Sequence, residues 1–478
     1  MFDNYLSTSF VDVAAGSLSG TVELQYTRLA MPGGNHRVRG GRVPYSDGPT
    51  GLRPIPDDRH RRMSRRGLVV ASVGHSLEWF DWNSYVIFSV FFSDRFFPSG
   101  KDGAAQLSAL MIFAVGFFFR PLGGILLGGF ADRHGRRSAL TLSMLLMAGG
   151  SLLVAVCPTY DSAGVLAPVL LVVARICQGL STGGEMATSA TYLAEVAPQG
   201  RRGFYSSFIY LNGTLGNLAA TLLAEAELAR LGETGMKEWG WRIPFALGAV
   251  LGVYAMYMRR SLNETGPYLV GQDLRVRRPA WEVLRRHPLS GWRVAGFTLG
   301  ATVVYYTFLA YLPAYSQHTH GISTAAALWV SVVAQAAMIV ALPLLGILSD
   351  KIGRKPLLSI FAAAFALLSV PLFALLDSSS VWSLLVAMTT GLLLFACYAA
   401  IAPTAMAELF PTQVRSVGLG MPYSLVVALF GGTAPYLVEQ LTEHGHGAWF
   451  PWYICVLCLV SLLTYVTTPE TKDVNLDR

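Results

Sequence analysis

The chain repeats one short polar stretch across a long interval. Residues 128–137 read Gly-Gly-Phe-Ala-Asp-Arg-His-Gly-Arg-Arg, and residues 346–355 read Gly-Ile-Leu-Ser-Asp-Lys-Ile-Gly-Arg-Lys. Glycine, acid, base, glycine and two bases stay in register: Gly128/Gly346, Asp132/Asp350, Arg133/Lys351, Gly135/Gly353, Arg136/Arg354 and Arg137/Lys355. Each copy is wedged between apolar runs and closes the second such run of its half, so the chain reads as a duplicated membrane protein. If the loop starts helically, Asp132 and Arg136 lie four apart and can pair. Gly128 and Gly129 carry no bulk and permit close helix contact.

Apolar runs fall near 68–92, 105–130, 138–157, 165–193, 204–227 and 241–259, then near 292–315, 325–348, 357–376, 381–406, 415–438 and 449–467. At about 1.5 Å per residue each can cross a bilayer. The predicted class is an all-α membrane protein with twelve spans. With 53% hydrophobic and only 14% charged residues, the chain cannot cover a soluble domain of this length. Its net charge of +7 is no sign of nucleic-acid binding. Arg133, Arg136, Arg137, Arg201, Arg202, Lys351, Arg354, Lys355 and Arg415 follow even-numbered spans, whereas the alternate loops carry Asp94, Asp161, Glu233, Asp377 and Glu443. Lys and Arg bias loops to the inner side, which predicts that both termini are cytoplasmic.

The expected layout is a disordered tail over 1–67, a first bundle over 68–260, a basic linker over 261–290, a second bundle over 291–468 and a short tail over 469–478. Met63 stands just before the first run and is a candidate start. A second echo supports duplication: Glu195 with Pro198 and Arg202 matches Glu408 with Pro411 and Arg415. Cys455 and Cys458 have CxxC spacing in an apolar helix, without the polar setting of a redox motif. His318/His320 and His444/His446 lack companion ligands, and no metal or cofactor is expected.

Ionisable groups inside spans are costly and mark function. His75, Glu78, Asp81 and Tyr85 recur every three or four residues on the first span, hence on one face. Glu78 and Asp81 so close together disfavour joint ionisation, and one of them can carry a proton; the competing reading is a charged pair bridged to Arg for structure. Arg120, deep in the second span, needs an anionic partner, either an acid of the first span or a bound carboxylate. Arg175, Gln178, Thr182 and Glu185 share a face of the fourth span. A guanidinium grips a carboxylate through two parallel hydrogen bonds, and pairing of Arg175 with Glu78 or Asp81 is the alternative. In the second half Tyr305 or Tyr306 and Gln335 are the candidate cavity residues.

The two loops resemble the signature G-x-x-x-D-[RK]-x-G-R-[RK] of the major facilitator superfamily. That resemblance implies two pseudo-symmetric six-helix bundles, alternating access and a gate worked by Asp132, Arg133, Gly135 and Arg136, with Asp350, Lys351, Gly353 and Arg354 as second-half copies. Further stretches, Glu78-Trp-Phe-Asp81, Arg175 through Glu185, Glu195 through Tyr205 and Trp239 through Phe245, resemble the metabolite:proton symporters. Gly183 through Tyr192 is most similar to members of that group carrying 2-oxoglutarate. The resemblance implies a proton symporter of the inner (plasma) membrane, working as a monomer on a small organic anion. Arg120, Arg175, Gln178 and Tyr305 would bind the substrate, and Glu78, Asp81 and Glu185 would couple protons. A symporter of proline, glycine betaine or shikimate-like acids is the alternative, and a membrane sensor or intramembrane enzyme the different class. Nothing in the chain supplies an output domain, a paired nucleophile and base or a phosphate loop. Deleting residues 1–62 is expected to leave substrate uptake per inserted molecule unchanged, measured in whole cells against membrane content.

Overall fold

The computed structural model describes residues 65–97, 104–259, 279–312, 315–316, 321–434, 437, 441 and 444–476. These residues lie in one compact unit, Pro56–Arg478. They form twelve long helices in chain order: α1 (Arg65–Phe96), α2 (Ala104–His134), α3 (Arg136–Ala155), α4 (Leu166–Val196), α5 (Arg202–Glu238) and α6 (Ile243–Arg259) in the first half, then α7 (Pro288–Tyr305), α8 (Thr324–Ile352), α9 (Lys355–Ala374), α10 (Val381–Ala399), α11 (Arg415–Val426) and α12 (Trp449–Thr467). Two of them run on as π-helix, α7 through Tyr306–Tyr311 and α11 through Val427–Gly431. Nine of the described helical segments are apolar and long enough to span on composition alone. The other three are α1, α5 and α7, each of which carries charged or amide residues along its length.

Small residues set the helix contacts, because lipid offers no hydrophobic drive for helices to pair. Within the first half, Gly116 of α2 meets Gly179 of α4, and Gly183 of α4 lies on the Arg120 carbonyl. Across the seam α2 packs on α11 and α5 on α8. A methyl on Gly124 would sit 2.7 Å from the Gly420 carbonyl oxygen, and one on Gly203 2.6 Å from that of Gly346. The two seams are thus copies of each other. Of the glycine pair in the repeated loop, Gly128 touches Val417 of α11, but Gly129 faces open space. Close packing therefore uses one of the two, not both.

Gly135 and Gly353 end the repeated loops at φ 101° and 102°, a left-handed backbone that a side chain would strain. That turn aims the following Arg136 and Arg354 back into the protein, where both are buried. The ends of the spans differ from expectation by a few residues: α1 starts at Arg65, and α5 runs on to Glu238 with a break at Gly232. The 261–290 stretch is more than a linker. Residues 260–278 lie outside the described residues, but Pro279–Arg286 is a helix and α7 begins at Pro288. The expected tail over 1–67 falls outside them too, apart from its last three residues, which are the first turn of α1.

Gly183→Ala is expected to cost about 1–3 kcal/mol through overpacking, read as a lower unfolding midpoint of the detergent-solubilised protein. Gly129→Ala, with nothing to meet, should leave that midpoint in place.

Candidate functional site

The face of α1 predicted to carry chemistry splits between two neighbourhoods. Three residues turn a helix by about 300°, so Glu78 and Asp81 diverge by about 60° and reach different partners. Asp81 points at α3 and α4. It accepts hydrogen bonds from Ser151 Oγ and, at 2.5 Å, from Gln178 Nε2, whose own Oε1 accepts from Arg175 Nη1 at 2.6 Å. Gln178 therefore bridges Arg175 to Asp81, and among the described residues no carboxylate lies within ion-pair distance of Arg175. Glu78 turns instead toward His75, with Nδ1 3.7 Å from its Oε2, and toward Glu185 of α4. One ligating atom of each of His75, Glu78 and Glu185 lies within 4.8 Å of the others. Glu185 accepts from Ser143 Oγ at 2.9 Å. The two carboxylates of α1 thus serve two clusters and do not form one shared pair.

Arg120 lies at the seam between the halves. Its Nη1 donates to the Tyr306 hydroxyl at 3.2 Å, and its guanidinium stacks 4.0 Å from the Trp82 ring and 4.2 Å from that of Phe117. Arg175 stacks on the same Trp82, at 4.1 Å. Two buried cations thus share one indole. Cation–π contact holds them, yet it meets none of their hydrogen-bonding demand: among the described residues Arg120 Nε and Arg175 Nε and Nη2 have no partner. Of the two adjacent tyrosines, Tyr306 rather than Tyr305 reaches Arg120. Tyr305 accepts from Asn217 Nδ2 at 3.3 Å and packs edge-on against Trp79.

The repeated loops build two buried charge hubs on one face. Asp132 accepts from Arg136 Nη1 at 2.8 Å, and its carboxylate also takes the backbone N–H groups of Ser416 and Val417. It therefore caps the N-terminus of α11 in the other half, where the helix dipole favours an anion. Arg136 Nη2 and Arg415 Nη1 both donate to Glu195 Oε1. The second hub inverts the halves. Asp350 pairs with Arg354 at 3.0 Å and takes the N–H groups of Gly203 and Phe204 at the start of α5. Glu408 lies 3.5 Å from Arg202 and 3.6 Å from Arg354. Arg133 and Lys351, by contrast, are exposed beside the hubs.

The sequence profile described as Major Facilitator Superfamily matches residues 72–435 and 328–477. The chain belongs to the major facilitator superfamily. It is 40% identical over 399 residues to the alpha-ketoglutarate permease of Escherichia coli strain K12, covering 83% of this chain and 91% of that protein. It is 32% identical to the citrate-proton symporter of Salmonella typhi, covering 80% and 90%, and 29% identical to the proline/betaine transporter of Escherichia coli strain K12, covering 86% and 84%. The proton:xylose symporter XylE bound to 6-bromo-6-deoxy-D-glucose superposes with a TM-score of 0.73 at 20% identity, covering 86% of this chain and 97% of that one. This chain is a multi-pass membrane protein with the facilitator fold, and its relatives are permeases and symporters rather than enzymes.

Sequence reasoning did not single out Trp82, Ser151 or Asn217 as parts of the site, and left Tyr306 as an alternative to Tyr305. It noticed the Glu195/Arg202 and Glu408/Arg415 echo as helix punctuation, without seeing that each acid holds an arginine of the opposite half. It also took 469–478 for a free tail. Glu470 accepts from the backbone N–H groups of Arg354 and Lys355 at the start of α9, and Thr471 Oγ1 donates to Glu408 at 2.6 Å. The Val474 carbonyl accepts from Arg202, and that of Leu476 from Arg415. The segment ties both hubs together.

Burial pushes the Glu408 carboxyl up to about 7 against the pull of Arg354. At Glu470 partial burial also pushes upward, but the backbone donors at Arg354, Lys355, Lys472 and Thr471 outweigh it and hold the carboxyl below its ordinary 4.5. A depressed acid stabilises docking above its free value and loses that contribution as pH falls through the docked one. Glu470→Gln is accordingly expected to lower amide protection at Arg354 and Lys355 several-fold at pH 7, allowing for solvent screening. Hydrogen exchange should show wild-type protection sinking toward the variant's as pH drops below 4.5.

Proposed function

We propose that this chain is a proton-coupled symporter of the inner membrane that imports a small dicarboxylate such as 2-oxoglutarate by alternating access, with both termini cytoplasmic. The observation that carries the reading is the pair Arg120 and Arg175, both buried and stacked on one indole. Like charges in an apolar interior repel and leave donors unsatisfied, a cost that a bound dianion relieves. Guanidinium is also the group best shaped to hold a carboxylate. A zwitterion such as betaine brings a single carboxylate and a cation that both arginines repel. The likeness to the alpha-ketoglutarate permease points the same way.

In this reading Gln178 orients Arg175, Tyr306 orients Arg120, and Asn217 with Tyr305 shapes the second-half wall. Asp81 ties substrate to proton: with its proton it leaves Arg175 free for the anion, and without it draws the guanidinium back through Gln178. Glu78 and Glu185, in the neighbouring cluster, take part in the proton relay. The hubs around Asp132 and Asp350 close the cytoplasmic side, because each acid binds a helix start of the opposite half and opening must break both. Arg133 and Lys351 contribute surface charge there. Protein monomers suffice, since every group invoked comes from one chain.

Uptake of labelled 2-oxoglutarate into proteoliposomes, with and without an inward-directed pH gradient, tests the reading. Arg120→Lys and Arg175→Lys are expected to raise KM by tenfold or more, since lysine cannot form the bidentate grip. Asp81→Asn is expected to abolish accumulation against a gradient while membrane insertion is retained. Inhibition by succinate and citrate supports a dicarboxylate site; inhibition by proline or betaine with none by dicarboxylates overturns it.

A further inference from the structure

One contact on α1 takes no part in the scheme so far. Trp79 Nε1 lies 3.1 Å from His75 Nε2, one turn before it. An indole nitrogen only donates, so His75 Nε2 must present a lone pair. The imidazole is therefore neutral, and its single proton sits on Nδ1, facing Glu78 Oε2 at 3.7 Å. His75 is only 4% exposed and Glu78 2%, and among the described residues neither His75 Nδ1 nor either Glu78 oxygen has a hydrogen-bond partner. A buried carboxylate without a donor is costly, which leaves this cluster short of positive charge.

We propose that His75 is a proton-binding residue of the transport cycle and that Trp79 carries its state to the second half of the protein. The inference rests on the symport reading above and identifies a proton site within it. The incoming proton bonds to the Nε2 lone pair, and the Trp79 N–H···N bond breaks, since two N–H groups now oppose each other. The imidazolium then attracts Glu78 across the 3.7 Å gap at Nδ1 and lies beside Glu185 of α4. On release the proton leaves Nε2 for water and Trp79 rebonds. No other group changes its bonding.

The consequence of that switch is mechanical. Trp79 is clamped between Gly213 of α5, where a methyl would come within 3.1 Å of its ring, and Tyr305 of α7, whose ring centroid lies 5.4 Å away. Tyr305 stacks edge-on against Tyr306 at 5.2 Å, and Tyr306 holds Arg120. Displacing the indole therefore disturbs, through two tyrosines, the guanidinium proposed to bind the anion. Among the described residues, the charged and titratable groups facing this cluster are Glu78 on α1, Glu185 from α4, Arg120 from α2, Tyr305 and Tyr306 from α7, Tyr423 from α11 and Tyr210 from α5, which also contributes Gly213 and amides. Trp79 acts here as a positioning residue.

Three measurements on the full chain decide the matter. In proteoliposomes His75→Gln, whose amide accepts from Trp79 but takes up no proton, is expected to reduce the number of protons carried per 2-oxoglutarate. Trp79→Phe removes the bond that favours neutral His75, so the pH midpoint of uptake is expected to move alkaline by about half to one unit. In detergent, wild-type tryptophan fluorescence is expected to show a one-proton quenching step that is absent from both variants. An unchanged proton ratio in His75→Gln, or an unmoved midpoint in Trp79→Phe, overturns the inference while the symport reading stands. If the wild type shows no gradient-driven uptake, that reading falls instead, and the fluorescence step alone decides His75: its absence overturns the proton site.

Discussion

A carboxylate in the apolar interior must find donors, and two acids of the repeated loop find theirs on the opposite half. Asp132 binds the first N–H groups of α11, and Asp350 those of α5. Each also holds the arginine one turn later, which the positive-φ glycine turns inward. Removing either acid takes one carboxylate from a buried arginine and leaves a helix N-terminus of the opposite half uncapped, so these contacts bear on how the halves meet. Close glycine seams between α2 and α11 and between α5 and α8 let the backbones approach enough for the carboxylates to reach.

The other polar residues of the interior are arranged on a different principle. On the basic face, each buried arginine of the hubs meets at least one carboxylate. Around Trp82 the balance is withheld: two guanidinium groups sit on one ring with donors to spare, and Glu78 sits with acceptors to spare. A matched network is rigid, and an unmatched one awaits something from outside. That contrast is what the proposed separation of gate from carrying site rests on.

Much of this was legible from residues alone, and the reasons are local. Asp132 with Arg136 and Asp350 with Arg354 are spaced one helical turn apart, and the duplication marks both. The inward face of α1 was legible because polar residues at that period are rare in a span. What could not be read is which partner across the seam each group takes. Arg415 reaches Glu195 across a separation of 220 residues, and spacing carries no trace of that. The choice of Tyr306 over Tyr305 turns on the phase of α7, which changes to π-helix at Tyr306. Glu78 and Asp81 read as one pair because sequence shows their shared face but not the neighbours that separate them. Residues 469–478 read as a free end because a short polar stretch without periodicity gives no signal until its docking ground is known.

That last segment also changes how the basic face must come apart. One continuous segment is bonded to Arg354 and Lys355 through the Glu470 carboxylate at its start, and through its backbone carbonyls to Arg202 midway and to Arg415 near its end. The hubs are therefore not two independent clasps in series. A displacement of either one also strains the thread that secures its twin, so the two are coupled through a single stretch of chain.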